Sequence, residues 1–308
     1  SNAGRAVQIS NILGHELSPV PLSLAKPSGK MNPSSKADLV PLLTTDLNVE
    51  IIHQLPKTSN PTCVLIDGHA LIQSLGKPHE CKSFGDYADV FYKTVIKHLH
   101  GSTTRIDITF DRYLGTNSIK SATRSARTGK LRSIRKLIQG PSVPLPQVWN
   151  QFIAMDENKA DLARFLSEEM HRRTTSIPDN CEVVIGGGFC DTLNARSNRR
   201  EISNLAANHE EADTRLIFHA LDVYRSNYKR ITVICRDTDV LLLLLFHLGS
   251  LPVEVWMIAG TYKQIKCFPV HSIASNLDSN IIRNILSFHA FTGCDTTSCF
   301  SGFSKKSC

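Results

Sequence analysis

The sequence predicts an α/β fold with a mostly parallel central sheet flanked by helices. Three observations carry this. Short continuous apolar runs alternate with helical patterns along the chain, as in βαβ units. The runs are too short to be helices and are closed by Asp or Gly, as expected for strands buried on both faces. The 308 residues suffice for one large α/β domain.

The elements follow in order. Residues 1–60 are rich in Pro, Ser, Lys and Asn and read as an irregular arm with at most one short helix. The first strand is Thr62–Asp67, followed by a helix at His69–Leu75. Tyr87, Phe91, Val95 and Leu99 at helical spacing predict a helix over Phe84–His100. A second strand spans Arg105–Phe110 and ends at Asp111. A helical pattern over Ser118–Gln139 follows, interrupted by Gly129 and stopped by Gly140 and three prolines. Next come a helix at Lys159–Arg173, a strand at Glu182–Ile185 and the run Gly186-Gly-Gly188, read as a loop and not a phosphate cradle. A helix at His209–Tyr224, a strand at Arg230–Cys235 and a helix at Val240–Leu248 lead to strands at Val253–Ile258 and Gln264–Phe268. Helices at Ser272–Leu277 and Ser279–Phe291 complete the pattern. Trp149 and Trp256 read as core.

The bulk numbers narrow the function classes. No apolar run reaches the 18 residues of a membrane-span candidate, and the N-terminus has no signal pattern. Nine cysteines include no C-x-x-C pair, which argues for reduced thiols in an intracellular protein and against a structural zinc site. The net charge of +7 is concentrated. From Arg112 to Met155 there is no Asp or Glu, while Arg112, Lys120, Arg124, Arg127, Lys130, Arg132, Arg135 and Lys136 supply eight positive charges. The rest of the chain is close to neutral. Such a block suits a polyanion, nucleic acid above all, although for a charge run taken alone a solvated helix face is the preferred reading.

In open parallel sheets ligands sit beyond the carboxyl ends of the strands. Asp67, Asp111 and the pair Asp237/Asp239 all fall just past a predicted strand end. One such aspartate commonly caps the next helix. Three strand ends closing on Asp point further, because clustered carboxylates raise each other's pKa unless a cation neutralises them. Oxygen-only sites of this kind suit Mg²⁺ or Mn²⁺. Glu210-Glu211-Ala212-Asp213 adds acids at a helix start, where the dipole favours them. Glu210 and Asp213 would share a helix face; Glu211 fits beside Asp213 only at or before the first turn.

In their order these motifs resemble the flap endonuclease/XPG-type 5′ nucleases of the PIN-like superfamily. Val64-Leu-Ile-Asp67 looks like that family's first strand and metal aspartate. Phe110-Asp111 with Lys120 and Arg127 resembles its second aspartate and the basic helix that grips the scissile phosphate. Glu211-Ala212-Asp213 is similar to its Glu-Ala-Glu signature, Asp237-Thr-Asp239 to its Asp-x-Asp pair, and Gly293-Cys-Asp295 to its last metal aspartate. Residues 293–308, with Lys305 and Lys306, resemble the start of its duplex-binding helix–turn–helix. The resemblance covers about residues 62–308 and implies one PIN-like nuclease domain over 61–308, with a basic helical insertion near 112–140. It departs from the family in the long N-terminal arm, in Asp213 standing for a glutamate, in Thr296-Thr297 where an aromatic is common, and in the length of the Pro141–Asn208 segment. The strings His-Glu-Glu-Ala-Asp and Thr-Gly-Cys-Asp-Thr-Thr also resemble uncharacterised, often multicopy, animal genome proteins, a likeness that implies no established activity.

The resemblance implies a two-metal phosphodiesterase acting on DNA or RNA in the nucleus. Asp67, Asp111, Glu211 and Asp213 would hold one Mg²⁺ or Mn²⁺, and Asp237, Asp239 and Asp295 the second. Lys120 and Arg127 would stabilise charge on the phosphate, and Arg112, Arg124, Lys130, Arg132, Arg135, Lys136, Lys305 and Lys306 would contact the backbone. The rival expectations are a non-catalytic PIN-like module that binds nucleic acid or a protein, and a Toprim-type fold. The second leaves Asp67, Asp111 and Asp295 without a role. A phosphatase using Asp67 as nucleophile is disfavoured by His69 at the position of its expected second aspartate.

Overall fold

The computed structural model describes Ser10 and residues 20–113, 133–191, 193–261 and 264–306. Its centre is a seven-stranded sheet ordered β4-β3-β2-β1-β5-β6-β7. The strands are β1 Thr62–Asp67, β2 Thr103–Thr109, β3 Glu182–Gly186, β4 Ala195–Ser197, β5 Arg230–Ile234, β6 Glu254–Thr261 and β7 Gln264–Pro269. The five inner strands run parallel, and β4 and β7 close the two edges antiparallel. The predicted class is therefore observed, with β4 added. Three half-buried residues gave that strand no apolar run to be read from.

The α-helices with described bounds are α1 Leu39–Leu43, α2 Gly68–Leu75, α3 Phe84–Ile96, α4 Trp149–Ile153, α5 Asp156–Arg173, α6 Ala212–Arg225, α7 Thr238–Leu248, α8 Val270–Asn276 and α9 Ser279–Phe291. Strand side chains alternate between two cores. On one face Cys63, Leu65, Ile231 and Val233 pack with α1, α6, α7, α8 and α9. On the other, Val64, Ile66, Ile106 and Ile108 meet Ile72 of α2, Phe84, Tyr87 and Phe91 of α3, Phe152 of α4, and Leu162 and Leu166 of α5. Trp149 and Trp256 are buried, as expected.

Local chemistry sets the element ends. Ser83 and Asp86 form a reciprocal capping box at the start of α3. The Gly186–Gly188 loop is buried, with Gly187 at φ +73° and Gly188 at φ +77°. A Cβ on Gly188 would sit 2.1 Å from Ser167 Oγ, so this run serves close backbone packing and leaves no room for a phosphate.

Two expectations are corrected. Residues 133–139, the end of the predicted basic helix, are irregular; the part at 114–132 lies outside the described residues. Residues 293–306 form turns and coil with no helix, so the described part of that segment is not a helix–turn–helix. The arm is more ordered than its composition suggested. Leu39, Leu43 and Val49 enter the core, and Ile52 bridges to Cys267 on β7. Burial of scattered apolar residues outweighs a turn-forming composition here.

Candidate metal centre

The sheet changes direction of winding between β1 and β5: the chain builds β2 and β3 to one side of β1, and β5 and β6 to the other. A crevice opens beyond the strand ends at such a switch point. Here it is a cavity of about 760 Å³. Five separate chain segments bring acids to its wall: Asp67, Asp111, Glu211 with Asp213, Asp237, and Asp295. Six of the seven predicted acids thus line one cavity. Asp239 lies just behind, next to Asp237.

Each acid is positioned by a local rule. Asp67 ends β1 and caps α2, its Oδ1 accepting the N–H groups of His69 at 2.9 Å and Ala70 at 3.0 Å. Asp237 caps α7 by accepting the Asp239 N–H at 3.0 Å. Asp111, two residues past β2, does the same across the fold. Its Oδ1 accepts the Ala212 N–H at 2.7 Å, at the start of α6, whose own N-cap residue Glu211 makes no side-chain cap. The capping role of a strand-end aspartate and its place at the site are therefore both realised. Glu211 sits before the first turn of α6 in extended conformation, which puts it and Asp213 on the same cavity wall. Of the alternatives Glu210 and Glu211, Glu211 lines the cavity, while the Glu210 carbonyl accepts the Arg112 N–H at 2.7 Å.

The electrostatics differ from one end of the cluster to the other. Burial, and then the charge of Asp111, push the Asp67 carboxyl up to about 7; its neutral N–H donors and the Cys235 thiol offset this only in part. Burial pushes the Cys235 thiol well above its ordinary range, so it stays a thiol, donating to Asp67 Oδ2 at 3.7 Å. Asp239 behaves oppositely. Burial acts to raise it, but hydrogen bonds from His289 and Lys36 overcome that and hold it at about 2. His289 Nε2 lies 2.8 Å from Asp239 Oδ1. Lys36, on a 3-10 turn of the arm, places its Nζ 2.5 Å from Asp239 Oδ2, 2.8 Å from Asp295 Oδ2 and 3.2 Å from Asp237 Oδ1.

Among the described residues, two groups of side chains have ligand atoms within 4.8 Å of one another, Asp67 with Asp213 and Cys235, and Asp213 with Asp237 and Asp239. These acidic groups could hold a metal ion. A hard divalent cation fits the Asp67/Asp213 end, where carboxylate oxygens converge and burial, with the charge of Asp111, raises the Asp67 carboxyl.

The predicted basic residues fare unevenly. Lys120, Arg124, Arg127, Lys130 and Arg132 lie outside the described residues. Arg112 donates to the Asn208 carbonyl at 2.6 Å, and Arg135 to Asn158 Oδ1 at 2.8 Å and Asp161 at 2.7 Å. Lys136 is half-buried and Lys306 exposed, the latter 3.5 Å from Asp38. Lys305 is not the exposed contact residue expected. It is buried, and its ammonium donates to the carbonyls of His289 and Gly293 and to Thr292 Oγ1, where it is out of reach of a nucleic-acid backbone.

Sequence reasoning missed three cations on the cavity wall, Lys36, Lys159 and Arg236, and His289 beside Asp239. Lys159 pairs with Asp156 at 2.8 Å and lies over the Tyr113 ring. Arg236 adjoins Asp237 and carried a local signal. Lys36 carried none, being some 200 positions from its partners.

Among the described residues no helix is long and apolar enough to cross a membrane. No family model matches the chain, and no curated protein matches it.

Proposed function

We propose that this chain is a metal-dependent phosphodiesterase acting on nucleic acid, of the flap endonuclease/XPG-like kind within the PIN-like superfamily. The observation that carries this reading is the convergence of six acids from five chain segments on one cavity at the switch point of the sheet. A structural role needs no such convergence, since each cap could be satisfied separately. The cation is Mg²⁺ or Mn²⁺, on the oxygen character of the donors. When bound it supplies activation of the attacking water and neutralisation of charge on the phosphate.

The chain's own residues supply the rest. Asp67 and Asp213 hold the cation, with Asp111 and Glu211 flanking them. Lys159 and Arg236 stand on the same wall and would attract a phosphate there. The acid-free basic segment, including Lys120 and Arg127, supplies backbone contacts without reading sequence. The substrate is DNA, in branched or flap form, in the nucleus.

The test is incubation with flap, hairpin and single-stranded DNA and RNA, with Mg²⁺ or Mn²⁺ and with EDTA. Cleavage should require the metal and disappear in Asp213→Asn. Metal-dependent cleavage that persists in Asp213→Asn would place the chemistry elsewhere. A non-catalytic nucleic-acid-binding module is the second reading, favoured by one observation: an ammonium already stands among three of the acids. Nucleic-acid binding without cleavage under any of these conditions would establish it.

A further inference from the structure

Lys36 is not a surface lysine that has found a nearby carboxylate. Its ammonium has three N–H donors, and it meets three carboxylates, Asp237 at 3.2 Å, Asp239 at 2.5 Å and Asp295 at 2.8 Å. The side chain is largely buried, at 16% exposure. Burial disfavours its charge, yet the carboxylates outweigh burial and raise its pKa.

The backbone that carries it is fixed on both sides. Upstream, the Asn32 N–H donates to Ser298 Oγ at 2.8 Å, Asn32 Nδ2 to the Cys299 carbonyl at 3.1 Å, and Ser34 Oγ to the Thr292 carbonyl at 2.8 Å. Downstream, Leu39 and Leu43 lie in the main core. The segment that supplies Asp295 is thus stitched to the segment that supplies Lys36. Moving Lys36 out of the cluster means breaking these bonds or taking its ammonium away from three half-buried carboxylates.

We infer that the Lys36 ammonium is the resident cation of the Asp237/Asp239/Asp295 half, so that the chain takes a single divalent ion, at the Asp67/Asp213 half, in place of two. This rests on the metal-site reading above and changes its stoichiometry. Lys36 acts as a positioning residue. It fixes Asp237 and Asp239 beside Asp213, and it sets a positive charge where a second divalent ion would have to bring two more.

The experiment is calorimetric titration of Mn²⁺ into the metal-free full chain, into Lys36→Ala and into Lys36→Arg. One ion per chain is expected for the wild type and for Lys36→Arg, and a second for Lys36→Ala. Two ions in the wild type overturn the inference and leave the metal-site reading standing. So does Lys36→Ala that folds and still takes one. No binding by the wild type overturns both together. If Lys36→Ala does not fold, the counts in the wild type and Lys36→Arg decide: one in each supports the inference, two in either overturns it.

Discussion

His219 Nδ1 on α6 lies 2.7 Å from the Asp107 carboxylate on β2, inside a layer from which water is excluded. The contact belongs to a buried ionic network. Arg105, two residues along the same strand face, grips Asp107 with Nε at 2.7 Å and with a terminal nitrogen at 2.8 Å, and reaches Asp222 of α6 at 2.8 Å. Arg200 ties Asp222 to Glu182 of β3. The network locks α6 onto the sheet and so sets the direction in which Glu211 and Asp213 enter the cavity. Removing one partner leaves a buried charge uncompensated. Asp107→Ala should therefore destabilise the fold by about 3–5 kcal/mol, measured by denaturant unfolding.

The same network gives an acid limit. Burial acts to raise Asp107 and Asp222, but Arg105 and their other partners hold both below the ordinary carboxylate value of 3.8. A carboxylate depressed in the folded state adds stability that is complete above its unfolded pKa and lost as pH falls through the folded one. Unfolding should set in as pH drops below about 4, and Asp107→Asn should flatten that limb. An unchanged acid limb in the variant would mean that other groups set the limit.

Asp67 has the opposite sign. Its carboxyl is raised to about 7, so the metal-free folded state binds a proton that the unfolded chain has already lost. Between about pH 4 and pH 7 the metal-free protein should lose stability as pH rises. A divalent ion competes with that proton. Mn²⁺ affinity should increase as pH rises towards 7 and level off above it, read by titration across pH 5.5 to 8.5 at roughly half-unit steps. In Asp67→Asn the dependence should flatten and the affinity fall.

How far the sequence speaks for the fold can be judged from these residues. β1 and β5 were legible because strands buried on both faces are unbroken apolar runs, and the aspartates after them are local in sequence. β2 was legible as a strand, but the partners of Arg105 and Asp107 were not, since a charge on a strand does not announce the helix that will cover it. Lys36 was out of reach for the same reason. Its role depends on the arm returning across the sheet to the strand-end acids. Lys305 sits beside Lys306 in the sequence, and only the turn after α9 decides that one is buried and the other exposed.

The glycine loop after β3 gives a sharper test of packing. Gly188 has φ +77°, a conformation that costs any residue with a Cβ, and the added carbon would also strike Ser167 Oγ. Gly188→Ala should destabilise by more than the ~1 kcal/mol of conformational strain alone, with excess unfolding visible in a thermal melt. Combining it with Ser167→Ala removes the nearest clash and should recover part of the loss, while the Ala163 carbonyl at 3.1 Å and Phe110 at 3.2 Å still crowd the added carbon. A full recovery would show that the backbone conformation is not the constraint.

Lys305 and Lys306 can be separated by salt. The Lys305 ammonium, 2% exposed, spends its donors on the His289 and Gly293 carbonyls, at 3.2 and 2.7 Å, and on Thr292 Oγ1 at 2.8 Å. These groups close the end of α9 and orient the turn that carries Asp295. Replacing the lysine by methionine keeps much of the volume but leaves three acceptors without their donor. The cost should be about 1–3 kcal/mol in unfolding, with the salt dependence of nucleic-acid binding unchanged. Lys306→Ala should do the reverse, leaving stability intact. If Lys306 contacts a phosphate, log affinity against log salt should lose roughly one unit of slope. A lowered slope in Lys305→Met with unchanged stability would mean that this amine leaves its buried site to meet the nucleic acid.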